Sequence, residues 1–264
     1  MDTSSGSVEQ SLAVPAWASA AGLSPDGRWL VLGPATGSHF EVRDSAFSQQ
    51  PRQVTLPGSF SFDGISNDGN HLYLIEWLNG AQYQVRRYDM DAGRLYPIVI
   101  ADKSELGVPM AGVRVTGLAT PEGRWQLSLY TGAPKGAFIH ALPLFDQPWA
   151  ICIDLPGGTT AEAGWSIAMS PAGEAAYAAN GQTGVVVSIP IGDSPTGRGA
   201  GAFQPGTWGT APAASDVSRD SRTLFVAGRT GLVAIDTATL RQRGRALDGT
   251  SLRSVRVSGG WVYR

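Results

Sequence analysis

The sequence is poor in the residues that disulfides and metal sites require. It has a single cysteine, Cys152, so no internal disulfide can form, and the apolar neighbours of this residue favour an inert buried thiol. The three histidines, His39, His71 and His140, show no H-E-x-x-H motif or other spacing typical of zinc ligands. No G-x-S-x-G motif is present either. The motifs therefore predict no catalytic residue, no cofactor and no metal.

Long apolar runs and an excess of one charge are also missing. No run of about 18 apolar residues occurs, so the sequence predicts no membrane-spanning helix. The 20 basic and 22 acidic residues are well mixed along the chain and give a net charge of −2. There is no basic stripe of the kind that neutralises phosphates, and nucleic acid is therefore not an expected partner.

The first ten residues, Met1 to Gln10, are polar and rich in serine, and they lack the charged and apolar segments of a signal peptide. We expect them to be a flexible tail, followed by one domain over residues 11–264. A tail left after removal of a leader or anchor would favour an extracytoplasmic or cell-surface location, and the cytoplasm is the alternative. The sequence leaves the compartment open.

Glycine and proline are abundant, with 34 and 17 residues, and they mark a repeated turn. The stretch Gly22–Gly33 places a Ser-Pro-Asp-Gly turn between two short apolar runs, which is typical of a β-hairpin. Related stretches recur five times, each with a hydroxyl residue before the turn. These hydroxyl residues are Ser24, Ser66, Thr120, Ser170, Ser218 and Ser258. Their spacings of 42, 54, 50, 48 and 40 residues, with four strand-like runs per repeat, predict an all-β protein with a β-propeller fold.

We predict six four-stranded blades, the last of which is assembled from both ends of the chain. Residues 11–15 align without a gap on residues 53–57, the outer strand of the first repeat, and the final copy supplies only two strands before Arg264. Joining these segments leaves the closing blade one strand short, so either this blade has three strands or the native chain continues. A ring of five blades, or a cut-down larger ring, is the alternative.

Two further patterns follow the repeat. The third strand of five repeats ends at an acidic residue, which we expect to cap the next turn by accepting from backbone N–H groups. These residues are Asp44, Asp89, Asp146, Asp193 and Asp236. Three tryptophans, Trp29, Trp125 and Trp261, recur at one position of the repeat, and we expect them to pack in the core.

The turn unit Ser24-Pro-Asp-Gly-Arg-Trp-Leu-Val31 and the run Gly231-Leu-Val-Ala-Ile-Asp-Thr-Ala-Thr-Leu240 resemble the YVTN, WD-like and TolB-type repeats of bacterial β-propellers. The resemblance covers residues 11–264. It implies the propeller architecture, which protein-binding scaffolds, surface-layer domains, sensor domains and a lactonase branch share. Because the matching residues are turn and core residues, the resemblance implies no catalytic residue.

The loops predict which face of the propeller carries the function. With the strands of a repeat named A to D from the centre outwards, the D–A loops vary greatly, whereas the A–B turns are nearly uniform. D–A and B–C connections emerge on the same face, and variable loops on a rigid frame are where binding residues concentrate. We predict a ligand or partner site on this face, formed by Trp17, Trp77, Tyr130, Trp165, Trp208 and Arg114. The alternative is that each aromatic residue packs under its own loop.

Our main hypothesis is a non-enzymatic, monomeric recognition or sensor domain that binds a protein or peptide partner, or another ligand, on this face. The first alternative is a lactonase-like, metal-dependent hydrolase, with Asp63 and Asp216 as metal ligands at the mouth of the central channel. The second alternative is a structural repeat domain of a larger chain. Carboxylates that do not meet at a common point would contradict the hydrolase.

Overall fold

The computed structural model describes residues 8, 11, 13–80, 82–102, 109–145, 149–161, 163–204, 214–258 and 261–263. This part of the chain is almost entirely β-strand, with one 3-10 turn at Gly158–Ala161. None of the described residues belongs to a helix that is long and apolar enough to cross a membrane.

The first half of the fold is one large sheet that contains two blades. Its strands, and one that joins the next sheet, are β1 (Ser19–Leu23), β2 (Trp29–Gly33), β3 (Gly37–Asp44), β4 (Arg52–Ile65), β5 (His71–Trp77), β6 (Gln82–Asp89), β7 (Arg94–Leu95), β8 (Ala101–Asp102) and β9 (Met110–Ala111). The sheet has the order β1 to β7, with β9 paired to β6. The long strand β4 serves both blades, because residues 52–55 pair with β3 and residues 60–65 pair with β5.

The remaining strands form three more four-stranded blades and a hairpin. They are β10 (Val113–Ala119), β11 (Trp125–Thr131), β12 (Phe138–Pro143), β13 (Trp149–Asp154), β14 (Trp165–Met169), β15 (Ala175–Asn180), β16 (Val185–Pro190), β17 (Arg198–Ala202), β18 (Ala214–Val217), β19 (Thr223–Gly228), β20 (Gly231–Asp236), β21 (Gln242–Ala246), β22 (Arg256–Ser258) and β23 (Trp261–Tyr263). The third blade is β10–β13 with β8 added parallel to β13, the fourth is β14–β17, and the fifth is β18–β21. Strands β22 and β23 form the hairpin.

The innermost strands of successive blades lie side by side: β1 beside β4, β10 beside β14, β14 beside β18, and β18 beside β22. Four-stranded antiparallel sheets in this arrangement form a β-propeller, which confirms the fold class predicted from the repeat. The described residues among 11–15 are not in a strand and pair with neither β22 nor β23. The closing strand predicted there is not seen in the described part of the chain, and the number of blades stays a prediction.

One side-chain hydrogen bond recurs in the A–B turns of the five blades that the described residues form. The hydroxyl oxygen of the repeated serine or threonine accepts from the backbone N–H five residues later, over 2.9–3.1 Å. That N–H belongs in every case to the first residue of the next strand. The backbone N–H of the hydroxyl residue donates in turn to the carbonyl oxygen of the residue five positions later, the one whose N–H the hydroxyl accepts. Each turn is thus closed twice, which explains why the sequence repeats a hydroxyl residue at this position.

The acidic residues at the ends of the third strands cap turns at three of the five predicted positions. Asp44, Asp89 and Asp236 each accept from two backbone N–H groups of the following turn. These bonds hold the pKa of each carboxyl group below its usual value. The prediction is wrong for Asp193, because β16 ends three residues earlier and the exposed carboxylate pairs with Arg124 at 3.1 Å instead. Asp146 lies outside the described residues.

The three tryptophans expected in the core have different surroundings. Trp125 is fully buried, and its indole N–H donates to the carbonyl oxygen of Gly192 at 2.9 Å. Trp29 is partly buried, and its indole N–H donates to the carbonyl oxygen of Asn67 at 3.1 Å. Trp261 is 71% exposed, so the packing prediction is wrong at this position. The reason is that no described strand pairs with β23 on its outer side.

We expect Ser170→Ala to destabilise the protein by about 1–3 kcal/mol, because the N–H of Ala175 loses its acceptor in a turn where Ser170 is only 2% exposed. Ser170→Thr should retain most of the stability, since Thr120 accepts the same bond in the third blade. Urea unfolding followed by circular dichroism measures the change. Ser254→Ala, at an exposed position, is the control, and an equal effect of both alanine variants would contradict the role of the hydroxyl.

We expect stability to fall as the pH drops from about 4 to about 2, and Asp236→Asn to weaken this dependence. The Asp236 carboxylate accepts hydrogen bonds from the N–H of Thr239, from Arg243 and from the Thr239 hydroxyl, and these bonds lower its pKa from 3.8 to about 2. The folded state therefore binds fewer protons than the unfolded state in this window. The contribution of Asp236 to the free energy of unfolding is fully present above about pH 4 and is lost as the pH falls towards about 2. Urea midpoints at a series of pH values test this. Asp91→Asn, at a carboxylate that is 73% exposed, should keep the wild-type slope.

Candidate functional site

A cavity of about 290 Å³ opens on the face where the D–A and B–C connections emerge, across the first three blades. It lies between the innermost strands β1, β4 and β10, the β2–β3 turn and the end of β5. The lining residues are Ser19, Ala21, Pro34, Ala35, Thr36, Ser61, Phe62, Ile75, Trp77, Val113 and Arg114. The lining is mostly apolar with a few hydroxyl groups and one cation, which is the usual composition of a small-ligand site.

The three innermost strands that line the cavity all contain a β-bulge. The register shifts fall between Ala20 and Gly22 in β1, between Phe62 and Gly64 in β4, and between Arg114 and Thr116 in β10. The corresponding strands of the fourth and fifth blades, β14 and β18, pair without a shift. Bulges bend a strand and redirect its side chains, and they are enriched beside functional sites. The irregular half of the ring is therefore the half that carries the cavity.

Hydrogen bonds fix one wall of the cavity. The indole N–H of Trp77 donates to the hydroxyl of Ser61 at 2.8 Å, and that hydroxyl donates to the carbonyl oxygen of Ala35 at 2.6 Å. The hydroxyl of Thr36 lies 3.3 Å from the same oxygen of Ser61. Because Ala35 and Thr36 belong to the first blade and Trp77 to the second, Ser61 joins the two blades at the rim. The Trp77 ring is thus held in place before any ligand binds.

The opposite wall carries an ion pair that reaches into the interior. Arg114 Nε lies 3.5 Å from Asp63 Oδ1, and both groups contact the Ser128 hydroxyl, which accepts from Arg114 Nε and donates to Asp63 Oδ1 over 3.1 Å each. The Asp63 side chain is completely buried, whereas that of Arg114 is 28% exposed. Asp63 Oδ2 has no hydrogen-bond partner among the described residues. Arg114 therefore compensates the buried charge of Asp63 with the Nε edge of its guanidinium group, and its side chain stays partly exposed.

Two buried tyrosines lie behind the ion pair. Tyr83 and Tyr130 stack with ring centroids 5.2 Å apart, and Trp77 meets the edge of Tyr83 at 5.8 Å. Burial, together with the nearby charge of Asp63, raises the pKa of both tyrosines well above the usual value, so both stay neutral at physiological pH. Cys152 packs partly buried against this cluster. Tyr83 therefore supports the Trp77 ring, and Tyr130 packs against Tyr83.

The structure brings some of the sequence-predicted site residues together and separates others. Trp77 and Arg114 both line the cavity. Trp17 is 45% exposed and does not line the cavity, and its ring lies 6.4 Å from that of His39. Tyr130 and Trp165 are 0% and 1% exposed, so they pack in the core and present no surface to a partner. Trp208 lies outside the described residues.

Several polar residues of this region follow no sequence motif. Gln126 and Ser128 lie on one face of β11, between buried apolar neighbours, and that face meets Asp63 and Gly64 of the second blade. Ser61 similarly interrupts the apolar part of β4. Because both faces of a propeller blade are covered, polar residues that alternate with apolar ones in the buried strand Trp125–Thr131 could have indicated a buried polar cluster. The sequence alone does not show that these polar groups face Arg114.

Both carboxylates of the metal hypothesis are engaged by protein groups. Asp63 Oδ1 is engaged by Ser128 and Arg114, and a guanidinium group repels a divalent cation. Asp216 accepts from the backbone N–H of Val217 at 2.9 Å and of Val257 at 2.8 Å, which ties β22 to the fifth blade. Among the described residues, no three His, Cys, Asp or Glu side chains cluster as metal ligands. The geometry thus favours structural roles for both carboxylates.

No protein-family model matches the chain, and no curated protein matches its sequence. The superposition on the β-propeller domain of Cps50 (Swd1) from Myceliophteria thermophila covers 89% of this chain and 75% of that one, with a TM-score of 0.53 and 8% identity. A Bacteroides uniformis protein with a provisional 6-phosphogluconolactonase assignment covers 90% and 74%, with a TM-score of 0.52 and 15% identity. Dihydro-heme d1 dehydrogenase NirN covers 90% and 48%, with a TM-score of 0.59 and 13% identity.

These likenesses establish the propeller fold and nothing finer. The identities of 8–15% are too low to carry an activity from any of the three proteins to this chain. The similar structures include proteins of different kinds on the same architecture. The likeness to YVTN and TolB-type repeats is supported at the level of fold and stays a prediction at the level of family.

We expect metal removal to leave the stability unchanged. Because Asp63 and Asp216 are bound to protein groups, EDTA, or Ca²⁺, Mg²⁺ or Zn²⁺ added after EDTA, should shift the melting temperature by less than about 1 °C. A saturated site that binds only the folded state would raise the melting temperature by several degrees. Differential scanning calorimetry measures the shift. A rise with one ion that disappears in Asp63→Asn would restore the metal hypothesis.

Proposed function

We propose that the protein is a recognition domain that binds a ligand, or a segment of a partner protein, in the cavity between β1, β4, β5 and β10. The proposal rests on one observation: the cavity lies where the innermost strands of three consecutive blades, β1, β4 and β10, are bulged. The innermost strands of the next two blades, β14 and β18, are regular. Trp77 and Arg114 supply an aromatic wall and a cation, the residue types that dominate binding energy at interfaces. The cavity opens on the face of the D–A and B–C connections, on which the sequence predicts binding.

The size of the cavity limits what enters it. A volume of about 290 Å³ accepts one large side chain or a small organic molecule and excludes a folded domain. If the partner is a protein, one anchoring residue fills the cavity and the remainder lies over the surrounding loops. The Ser61 bridge fixes Trp77 before binding, so little entropy is lost when a ligand packs against its ring.

A hydrolase is the weaker candidate. It requires an activated nucleophile or a metal, and the carboxylates suggested for that role have protein partners. A purely structural repeat domain does not account for an open cavity whose rim is braced by hydrogen bonds. We therefore place recognition first, with Trp77 as the aromatic contact and Arg114 as the polar one.

Selection of random peptides against the immobilised protein tests the proposal. Peptides that bind the wild type should bind Trp77→Ala at least about 30-fold more weakly, since loss of a central aromatic contact costs about 2 kcal/mol or more. Trp261→Ala, which removes an indole that is 71% exposed on the β22–β23 hairpin, should leave the affinity unchanged. Isothermal titration calorimetry gives the affinities. Binders that are insensitive to Trp77→Ala, or that lose equal affinity in both variants, would contradict the proposal.

A further inference from the structure

The innermost strand of the third blade contains a glycine whose missing side chain leaves room for two polar groups. A Cβ atom on Gly117 would lie less than 3 Å from Arg114 Nη2 and 2.7 Å from the amide nitrogen of Gln126. The backbone of Gly117 does not adopt the left-handed conformation, so the position does not require glycine for its dihedral angles. The glycine is therefore needed for space. Arg114 Nη2 and the amide of Gln126 converge in that space.

The groups that converge over Gly117 are hydrogen-bond donors. Arg114 uses Nε to bind Ser128 and to approach Asp63. Its two Nη atoms and the Gln126 amide nitrogen donate no hydrogen bond to another described residue. Arg114 and Gly117 are both partly exposed, whereas Gln126 is only 8% exposed, so solutes reach this point from the Arg114 side. Donors that converge without an acceptor form a site for an anion.

The buried carboxylate of Asp63 determines which anion fits. It lies at the Nε edge of the guanidinium, completely buried, and neutralises part of the Arg114 charge. The Nη edge remains for a second acceptor with the planar, bidentate geometry that carboxylates share with guanidinium groups. A doubly charged phosphate would be repelled by Asp63 more strongly than a singly charged carboxylate.

We propose that Arg114 Nη2 and the Gln126 amide, which fill the space above Gly117, together bind a carboxylate on their exposed side, with the apolar body of the ligand directed into the cavity towards Trp77. This inference rests on the proposed function for the identity of the cavity and adds the chemical class of the ligand. The carboxylate has two sources of the same chemistry, a small organic acid or the C-terminus of a peptide.

Titrations with sodium propionate and with N-acetyl-glycyl-phenylalanine test the site, at constant ionic strength set with chloride. The readouts are the ¹⁵N–¹H signals of Arg114 Nε and of the Gln126 side-chain amide, which report the site directly. We expect saturable shifts of both signals with each acid. N-acetyl-glycyl-phenylalanine amide, which lacks the charge, should produce none, and inorganic phosphate at pH 8 should bind more weakly than the acids.

Gly117→Ala is the decisive variant, because its methyl group would lie where the Arg114 guanidinium and the Gln126 amide now converge and would displace both donors. We expect at least about tenfold weaker carboxylate binding, the cost of one charged hydrogen bond. Gly244→Ala is the matched control, since a Cβ there meets no atom within 4 Å and the residue also lies in a strand, β21. If Gly117→Ala fails to fold, Arg114→Lys, which keeps the charge and loses the planar fork, should give the same loss.

The outcomes separate this proposal from the previous one. Non-saturable shifts, or equal affinities for wild type and a folded Gly117→Ala or Arg114→Lys variant, would overturn the carboxylate site while leaving Trp77-dependent peptide binding untouched. Conversely, carboxylate binding that depends on Gly117, together with peptides indifferent to Trp77→Ala, would keep the carboxylate site and reject the cavity as the recognition surface. Tighter binding of the dipeptide than of propionate indicates a peptide C-terminus, and the reverse indicates a small acid.

Discussion

The hydrogen bond between a serine or threonine hydroxyl and the N–H five residues later is the interaction on which the fold depends. It closes the A–B turn in each of the five described blades and fixes where the second strand of each begins. Because the backbone of the same two residues pairs as well, the turn sets the register of the two inner strands. The repeat in the sequence is therefore a repeat of one hydrogen-bonded turn, and the spacing between turns is free to vary.

This constraint acts on one face only and leaves the other free to diverge. Strand β1 starts after a turn, β10 starts one residue after β9, and the inner part of β4 continues from the outer strand of the first blade. The bulge of each strand lies between that start and the fixed turn. An extra residue there is absorbed without disturbing the turn, whereas the same insertion next to Ser24 or Ser66 would break two hydrogen bonds. The cavity thus occupies the part of the inner strands that the turns do not control.

Local patterns were readable from the sequence, whereas contacts between blades were not. The repeated serine or threonine and the caps at Asp44, Asp89 and Asp236 bind partners at most five residues away in the sequence, and the structure confirms both patterns. The exposure of Trp261 depends on whether another strand covers β23. The sequence selected Trp77 and Arg114 but grouped them with the buried Tyr130 and Trp165, because repeat position does not reveal burial. The meeting of Asp63 with Arg114 depends on two bulges that no local pattern predicts.

Gly117 shows how the frame and the candidate site are related. Glycine weakens a strand, because it contributes no side chain to packing and loses more conformational freedom on folding. Here its backbone conformation would accept alanine, so local structure gives no reason for it. The reason lies in Arg114, whose guanidinium needs the space above Gly117 to stay close to the buried Asp63. The strand gives up local stability to place a cation beside the cavity, with its donors held in position before an anion binds.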